Sequence, residues 1–248
     1  MLKPDSLLQH TGRITIETHN RCNYAHLHKL CPVSTFKVPV FLPIEIIRGI
    51  LEYAAADGFD REIAWHNYSE PMIEPRLFLF LDMARGILPE ARSYILTNGS
   101  MLTQTTMDEL YAHGVRRLWV TAYSDAEQKR LKTLRPPEGQ DYNINRLARL
   151  DERLTIYDRD PAGDRHPCYE PLESLVIRAT GDVDLCCNDW AMKYTFGNLH
   201  EMSLQDVLAT GKMQETWERL KKGDRFLPIC KRCKCRRGTK LTEPSVTG

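Results

Sequence analysis

The sequence has little that would direct it to a membrane or to nucleic acid. Its 248 residues contain no apolar run of membrane-spanning length, and the N-terminal segment has no apolar core of signal-peptide length. Opposite charges nearly cancel, to a net charge of +1, and neither a basic stripe nor an acidic tail is present. We therefore expect a cytoplasmic protein with no nucleic-acid partner and no membrane partner.

The sequence also lacks internal repeats and low-complexity tracts. Apolar residues make up 42% and charged residues 27% of the chain, which is ordinary for a globular protein. The length allows one large domain, or a medium domain followed by a small one.

Cysteine, in contrast, is plentiful, with eight residues. A disulfide framework is a poor explanation in a cytoplasmic chain, because cytosolic thiols are kept reduced. Ligation of a metal ion or an iron–sulfur cluster is the better interpretation.

The first two thirds of the chain alternate between strand-like and helix-like runs. This alternation predicts a parallel sheet with outer helices, in the form of an open, partial (β/α) barrel over residues 1–158. The strand-like runs are RITIETH, EIAWHNY, RSYILTNG, VRRLWVTAYS and RLTIYD, and helical runs follow the first four.

The pattern changes near residue 159, where a small cysteine-rich β-hairpin and helix module is predicted over residues 159–248. A hairpin is indicated by two short strands around Thr180-Gly181-Asp182. A helical run follows, with a break near Gly211.

The cysteines of this module favour one shared site. Cys230-x-x-Cys233 has the spacing of a metal knuckle, and the hairpin is expected to carry Cys168 and Cys186 to it. Four thiolates from three segments fit either a tetrahedral zinc ion or a four-iron cluster. Cys187 and Cys235 are left over, with packing or supporting roles.

A second cysteine-rich segment, RCNYAHLHKLCPVS, directly follows the first predicted strand. Cys22 and Cys31 are separated by eight residues, among them His26 and His28. At the start of a parallel strand–helix series, this loop lies at the carboxyl-terminal mouth of the barrel, where the active sites of such barrels form.

Together these motifs resemble a known family. The order is the cysteine loop ending in CP, then NYSEP at 67–71, ILTNG at 95–99, and a module with GDVDLCCNDW and CKRC. This resembles the radical S-adenosylmethionine (SAM) enzymes that carry a twitch domain, a short form of the SPASM auxiliary-cluster domain, including enzymes of antibiotic biosynthesis. The resemblance implies two [4Fe-4S] clusters and SAM as cofactors.

The first cluster motif departs from the family pattern. CxxxCxxC has three thiolates, whereas here only the outer two are present, as Cys22 and Cys31, at an interval longer by two residues. His26 keeps the first spacing and His28 the second, and imidazole replaces thiolate on iron in Rieske centres. Three possibilities remain open: the third ligand is one of these histidines, the third ligand is Ser34, or two thiolates alone hold the cluster.

The resemblance also implies roles for residues near the mouth. Glu70 would contact the SAM amino group, and the SAM site would further include Tyr68, Ser69, Thr97 and Asn98. Arg159 is the candidate catalytic residue, as a group that orients a polyhydroxylated substrate or accepts a proton.

The implied function is radical hydrogen abstraction from a small sugar, aminocyclitol or nucleoside of secondary metabolism. An oxidation assisted by the auxiliary cluster is favoured, with an external electron donor such as flavodoxin or ferredoxin. The alternatives are radical sulfur insertion into a ring, redox-neutral epimerisation, and a non-catalytic zinc or iron–sulfur binding module.

Overall fold

The computed structural model describes residues 7–27, 31–147 and 167–233, and within them eight strands form one sheet. The strands are β1 (Arg13–Ile16), β2 (Glu62–Ala64), β3 (Arg92–Thr97), β4 (Val115–Ala122), β5 (Asp141–Arg146), β6 (Ser174–Ile177), β7 (Asp182–Asp184) and β8 (Thr195–Asn198). Their order in the sheet is β5-β4-β3-β2-β1-β6-β7-β8.

The helices are α1 (Ile44–Ala56), α2 (Leu77–Ile87), α3 (Gln104–Ala112), α4 (Asp125–Leu131), α5 (Glu170–Glu173), α6 (Leu204–Ala209), α7 (Lys212–Lys221) and α8 (Pro228–Arg232). Their starts follow from local chemistry: Thr103 and Ser203 each close a capping box, which satisfies the first free N–H groups of α3 and α6. Gly211, at φ +73°, separates α6 from α7 as predicted. Among these helices, none has both the length and the apolar character of a membrane span.

Six neighbouring strands, from β5 to β6, run parallel, and β7 and β8 extend the sheet antiparallel. Among the described residues the sheet stays open, with β5 and β8 at its two edges. This confirms the predicted α/β class with an open, partial barrel.

One face of the sheet packs against the helices. Alternate residues such as Ile14, Ile63 and Ile95 are buried in a single core together with apolar residues of α1 to α4. Trp217 of α7 belongs to this same core, so the C-terminal helices share it. Apolar alternation with period two along each strand produces this arrangement.

The opposite face of the sheet is polar. Arg13 Nε donates to Glu62 Oε2 at 3.0 Å, and Arg117 pairs with both Glu62 and Asp141. The Arg13 guanidinium also lies 5.0 Å from the centre of the Tyr94 ring, a cation–π contact. This face therefore presents charged and hydrogen-bonding side chains, whereas the face that packs against the helices is apolar.

The C-terminal module is continuous with the barrel. Strand β6 pairs in parallel with β1, with Ile14 opposite Leu175, before the chain turns into β7. The predicted boundary at 158/159 and the strand predicted at 153–158 lie outside the described residues. Strand β5, which the sequence analysis did not identify, forms one edge of the sheet within the described residues.

Candidate active site and auxiliary thiol cavity

Loops after β1, β2 and β3 meet at the carboxyl end of the parallel sheet, and Glu70 joins two of them. Its Oε2 accepts from the Asn98 N–H at 2.7 Å, and its Oε1 accepts from the Thr97 hydroxyl at 2.6 Å. Oε1 also accepts from the Met72 N–H at 3.0 Å. The predicted SAM residues Glu70, Thr97 and Asn98 therefore form one hydrogen-bonded unit.

Glu70 is almost fully buried, at 3% exposure, and this burial raises the pKa of its carboxyl despite the three hydrogen bonds. A carboxylate accepts about four hydrogen bonds. Since Oε2 accepts only from Asn98 in the described structure, it has capacity for one more donor, such as an ammonium group.

Asn98 extends this unit to the cysteine loop. Its Nδ2 donates to Asn23 Oδ1 at 2.7 Å and lies 3.8 Å from Cys22 Sγ. Asn23 in turn donates to the Ser100 hydroxyl at 2.7 Å. The turn after β3 is thus tied to the loop that carries the first thiol.

The two N-terminal thiols lie in one small cluster of side chains. Cys31 is buried with Val33 and Tyr68, and Cys22 packs against the same cluster. Burial raises the pKa of the Cys22 thiol to about 11, so without a metal this thiol stays protonated at neutral pH. Metal binding would have to displace that proton.

The third ligand of this site stays a prediction. His26 is exposed, and His28 lies outside the described residues. Within the described ranges, no group of three or more His, Cys, Asp or Glu side chains converges as a single metal ion requires. The donor set at this site therefore fits an iron–sulfur cluster only in part, through two thiols.

Tyr68 and Ser69, the other predicted SAM residues, are both buried. The Tyr68 hydroxyl donates to the Cys187 carbonyl at 2.8 Å, which joins the active-site loop to the C-terminal module. The Tyr68 N–H donates to Glu17 Oε1 at 2.9 Å.

Glu17 is a site residue that the sequence analysis missed. It follows β1, is 1% exposed, and its Oε2 accepts from the Ala179 N–H at 3.4 Å. Burial raises the pKa of its carboxyl to about 7, although these backbone N–H donors and Arg178 act in the opposite direction. The signal in the sequence that could have identified Glu17 was an acidic residue directly after a strand rich in β-branched residues.

The polar face of the sheet provides a surface for a small hydrophilic molecule. His66 is buried edge-on to Tyr94, and its Nδ1 accepts from the Leu96 N–H at 3.3 Å. In the described structure, Trp119 Nε1 is buried without a hydrogen-bond partner. Asn143 lies opposite Trp119 on the exposed edge strand β5. Such groups suit hydroxyl or amine substituents.

The second site is a cavity of about 350 Å³, counting space open to solvent, within the C-terminal module. Its lining includes all four cysteines predicted as auxiliary-cluster ligands, together with apolar side chains such as Leu185 and Ile229. The four are Cys168, Cys186, Cys230 and Cys233.

The chemistry of this cavity suits an iron–sulfur cluster. Burial raises the pKa of Cys230 to about 12 and that of Cys186 well above its ordinary value, and Arg225 on the cavity wall lowers the pKa of Cys230. A zinc ion needs its sulfurs close together, at about 2.3 Å from the metal. A four-iron cluster is likewise held by four thiolates, so the cysteines that line this cavity supply a complete ligand set for one.

The remaining thiols have separate positions. Cys187 does not itself line the cavity, but its Sγ donates to Oε1 of the lining residue Glu170 at 3.2 Å. Cys235 lies outside the described residues, as does the candidate catalytic residue Arg159.

Comparison with known proteins bears on both sites. Residues 168–234 match the SPASM family, an iron-sulfur cluster-binding domain. The resemblance predicted from the sequence is confirmed. The chain is 27% identical to the S-adenosyl-L-methionine-dependent 2-deoxy-scyllo-inosamine dehydrogenase of Niallia circulans over 230 aligned residues. The alignment covers 89% of this chain and 91% of that protein.

Solved structures agree with this assignment. The crystal structure of BtrN in complex with AdoMet and 2-DOIA has a TM-score of 0.77 and 25% identity, over 91% of this chain and 94% of that chain. Native anSMEcpe with bound AdoMet has a TM-score of 0.57 at 11% identity, over 90% and 88% of the two chains. The latter shows the fold alone.

Proposed function

We propose that the protein is a radical SAM oxidoreductase that converts an alcohol carbon of a sugar-like metabolite, such as an aminocyclitol, to a ketone. The observation that carries the proposal is the cavity lined by four thiols, in a chain whose similarity to an aminocyclitol dehydrogenase extends over nearly its full length. When bound, the clusters and SAM would supply a hydrogen-abstracting deoxyadenosyl radical and an acceptor for the second electron.

The residues of the mouth would bind and orient these groups. Cys22 and Cys31 would hold the first cluster with a third ligand, and the four thiols of the cavity would hold the second. Glu70 would accept from the SAM amino group through the remaining capacity of Oε2, as a charge-assisted hydrogen bond. Thr97 and Asn98 hold its carboxylate in place.

The substrate would lie on the polar face of the sheet. Trp119 would offer its buried indole N–H to a substrate oxygen, and Asn143 lies opposite it on β5. Arg159 stays our proposed catalytic residue, as a group that would orient the polyhydroxylated substrate or accept a proton. The oxidation removes one hydrogen atom, one electron and one proton, so the site must also accept a proton.

An external donor such as flavodoxin or ferredoxin would deliver the first electron, and we propose a cytoplasmic location. No disulfide joins any of the cysteines in the described ranges, which supports a reducing compartment.

Anaerobic reconstitution tests this function. We expect about eight irons per chain if both sites hold four-iron clusters. With dithionite, SAM and 2-deoxy-scyllo-inosamine, we expect deoxyadenosine and a ketone in equal amounts, and a deuterium label at the reacting carbon should appear in deoxyadenosine. Zinc at full occupancy in anaerobic protein, or SAM that stays intact, would contradict the proposal.

A further inference from the structure

Two buried side chains join the active-site loop to the hairpin that carries Cys186. The first is Tyr68, whose ring packs with Cys31 and whose hydroxyl donates to the carbonyl of Cys187, 119 positions along the chain. Cys187 directly follows Cys186, which lines the auxiliary cavity. A single side chain thus links the Cys31 cluster to the residue next to a thiol of the auxiliary cavity.

The second tie is Glu17. Its two carboxylate oxygens accept from Tyr68 N–H and from Ala179 N–H, 162 positions along the chain from Glu17. Ala179 lies at the start of the turn between β6 and β7, whereas Cys187 lies beyond the end of β7. The hairpin is therefore held at both ends, and both ties pass through Tyr68.

Trp190 adds an apolar contact in the same place. It follows the cysteine pair of the hairpin and packs against the cluster of Cys31, Val33 and Tyr68. Because a buried hydrogen bond in apolar surroundings fixes both distance and direction, Tyr68 restrains the hairpin more tightly than the ring packing alone would.

We propose that Tyr68 is a positioning residue that sets the auxiliary thiol cavity against the N-terminal thiol site, with Glu17 holding Tyr68 in register. This inference rests on the proposed function, since its consequence is efficient use of each SAM molecule. If the cavity shifts, the substrate radical loses its second electron less readily. It instead takes an electron from the external donor and a proton from solvent, which returns the alcohol, so SAM is consumed without ketone formation.

Tyr68→Phe tests the proposal, because it keeps the ring and removes only the hydroxyl. Tyr111→Phe is the matched control: Tyr111 is similarly buried, and its hydroxyl also donates to a backbone carbonyl, that of Asp141, at 3.1 Å, between α3 and β5. Both variants should be compared as reconstituted holoenzymes.

Two measurements decide the outcome. Amide exchange at residues 183–187 should rise about fivefold in Tyr68→Phe, the factor that one neutral hydrogen bond controls, and should not change in Tyr111→Phe. The ratio of deoxyadenosine to ketone should also rise severalfold above one only in Tyr68→Phe. A general loss of stability would lower both products together and leave this ratio unchanged.

Faster exchange without a change in the ratio would reduce Tyr68 to a structural tie and overturn the proposal. Equal exchange in the two variants would overturn it as well. The exchange measurement needs no substrate, so a failure of the proposed oxidation and a failure of the Tyr68 tie are distinguishable.

Discussion

Gly99→Ala is a sharp test of how the turn beside the active site is built. Gly99 ends the TNG segment and has φ +71°, a backbone conformation that L side chains rarely adopt. A Cβ atom there would overlap Val120 Cγ1 of β4 and lie 3.0 Å from Leu131 Cδ2 of α4. The change therefore adds steric overlap to backbone strain.

The magnitude follows from these two contributions. The left-handed conformation costs a non-glycine residue about 1–2 kcal/mol. An added methyl group in a packed core costs about 1–3 kcal/mol. We expect Gly99→Ala to lower the free energy of unfolding by about 2–5 kcal/mol. In a chain of this size each kcal/mol lowers Tm by roughly 2–4 °C.

Gly139→Ala is the matched control. Gly139 has φ +76°, but a Cβ atom there meets nothing within 4 Å, so only the backbone strain of about 1–2 kcal/mol should appear. Thermal and urea unfolding followed by circular dichroism would measure both variants. Equal destabilisation by the two substitutions would refute the steric argument.

Three other variants test the charges and thiols of the two sites. Glu70→Gln should weaken SAM binding severalfold in equilibrium dialysis while leaving the iron content unchanged, because the charge-assisted contact is lost; unchanged SAM affinity would remove Glu70 from the site. Combined Cys230→Ala and Cys233→Ala should halve the iron content and leave the N-terminal cluster detectable by electron paramagnetic resonance, whereas loss of all iron would argue against two separate sites. Glu17→Gln should remove a pH dependence: because burial raises the pKa of Glu17 from 4.5 to about 7, the wild type should lose about 3 kcal/mol of stability relative to the variant between pH 4.5 and 7, at about 1.4 kcal/mol per pKa unit. If the free energy of urea unfolding changes equally in the wild type and in Glu17→Gln between about pH 5 and pH 8, the raised pKa of Glu17 is contradicted.

The sequence by itself determined the α/β architecture and the gathering of the C-terminal cysteines. Strand period two and helix period 3.6 are local properties, so the alternation from β1 to α4 could be predicted. The Cys230-x-x-Cys233 spacing and the turn at Gly181 are also local, and the structure brings these segments together around one cavity. Strand β5 was missed because DYNINR contains only two apolar residues, Tyr142 and Ile144, which pack on one side of the sheet edge.

Only the tertiary structure decided how the two halves meet. The pairing of β6 with β1, the bonds of Glu17 to Ala179, and the Tyr68–Cys187 contact join residues that are far apart in the chain. No periodicity or spacing encodes such contacts, because they depend on which strands become neighbours after the chain has folded. The burial that raises the pKa values of Glu17 and Glu70 arises in the same way, since water is excluded from these carboxyls only once the loops and the hairpin have packed around them.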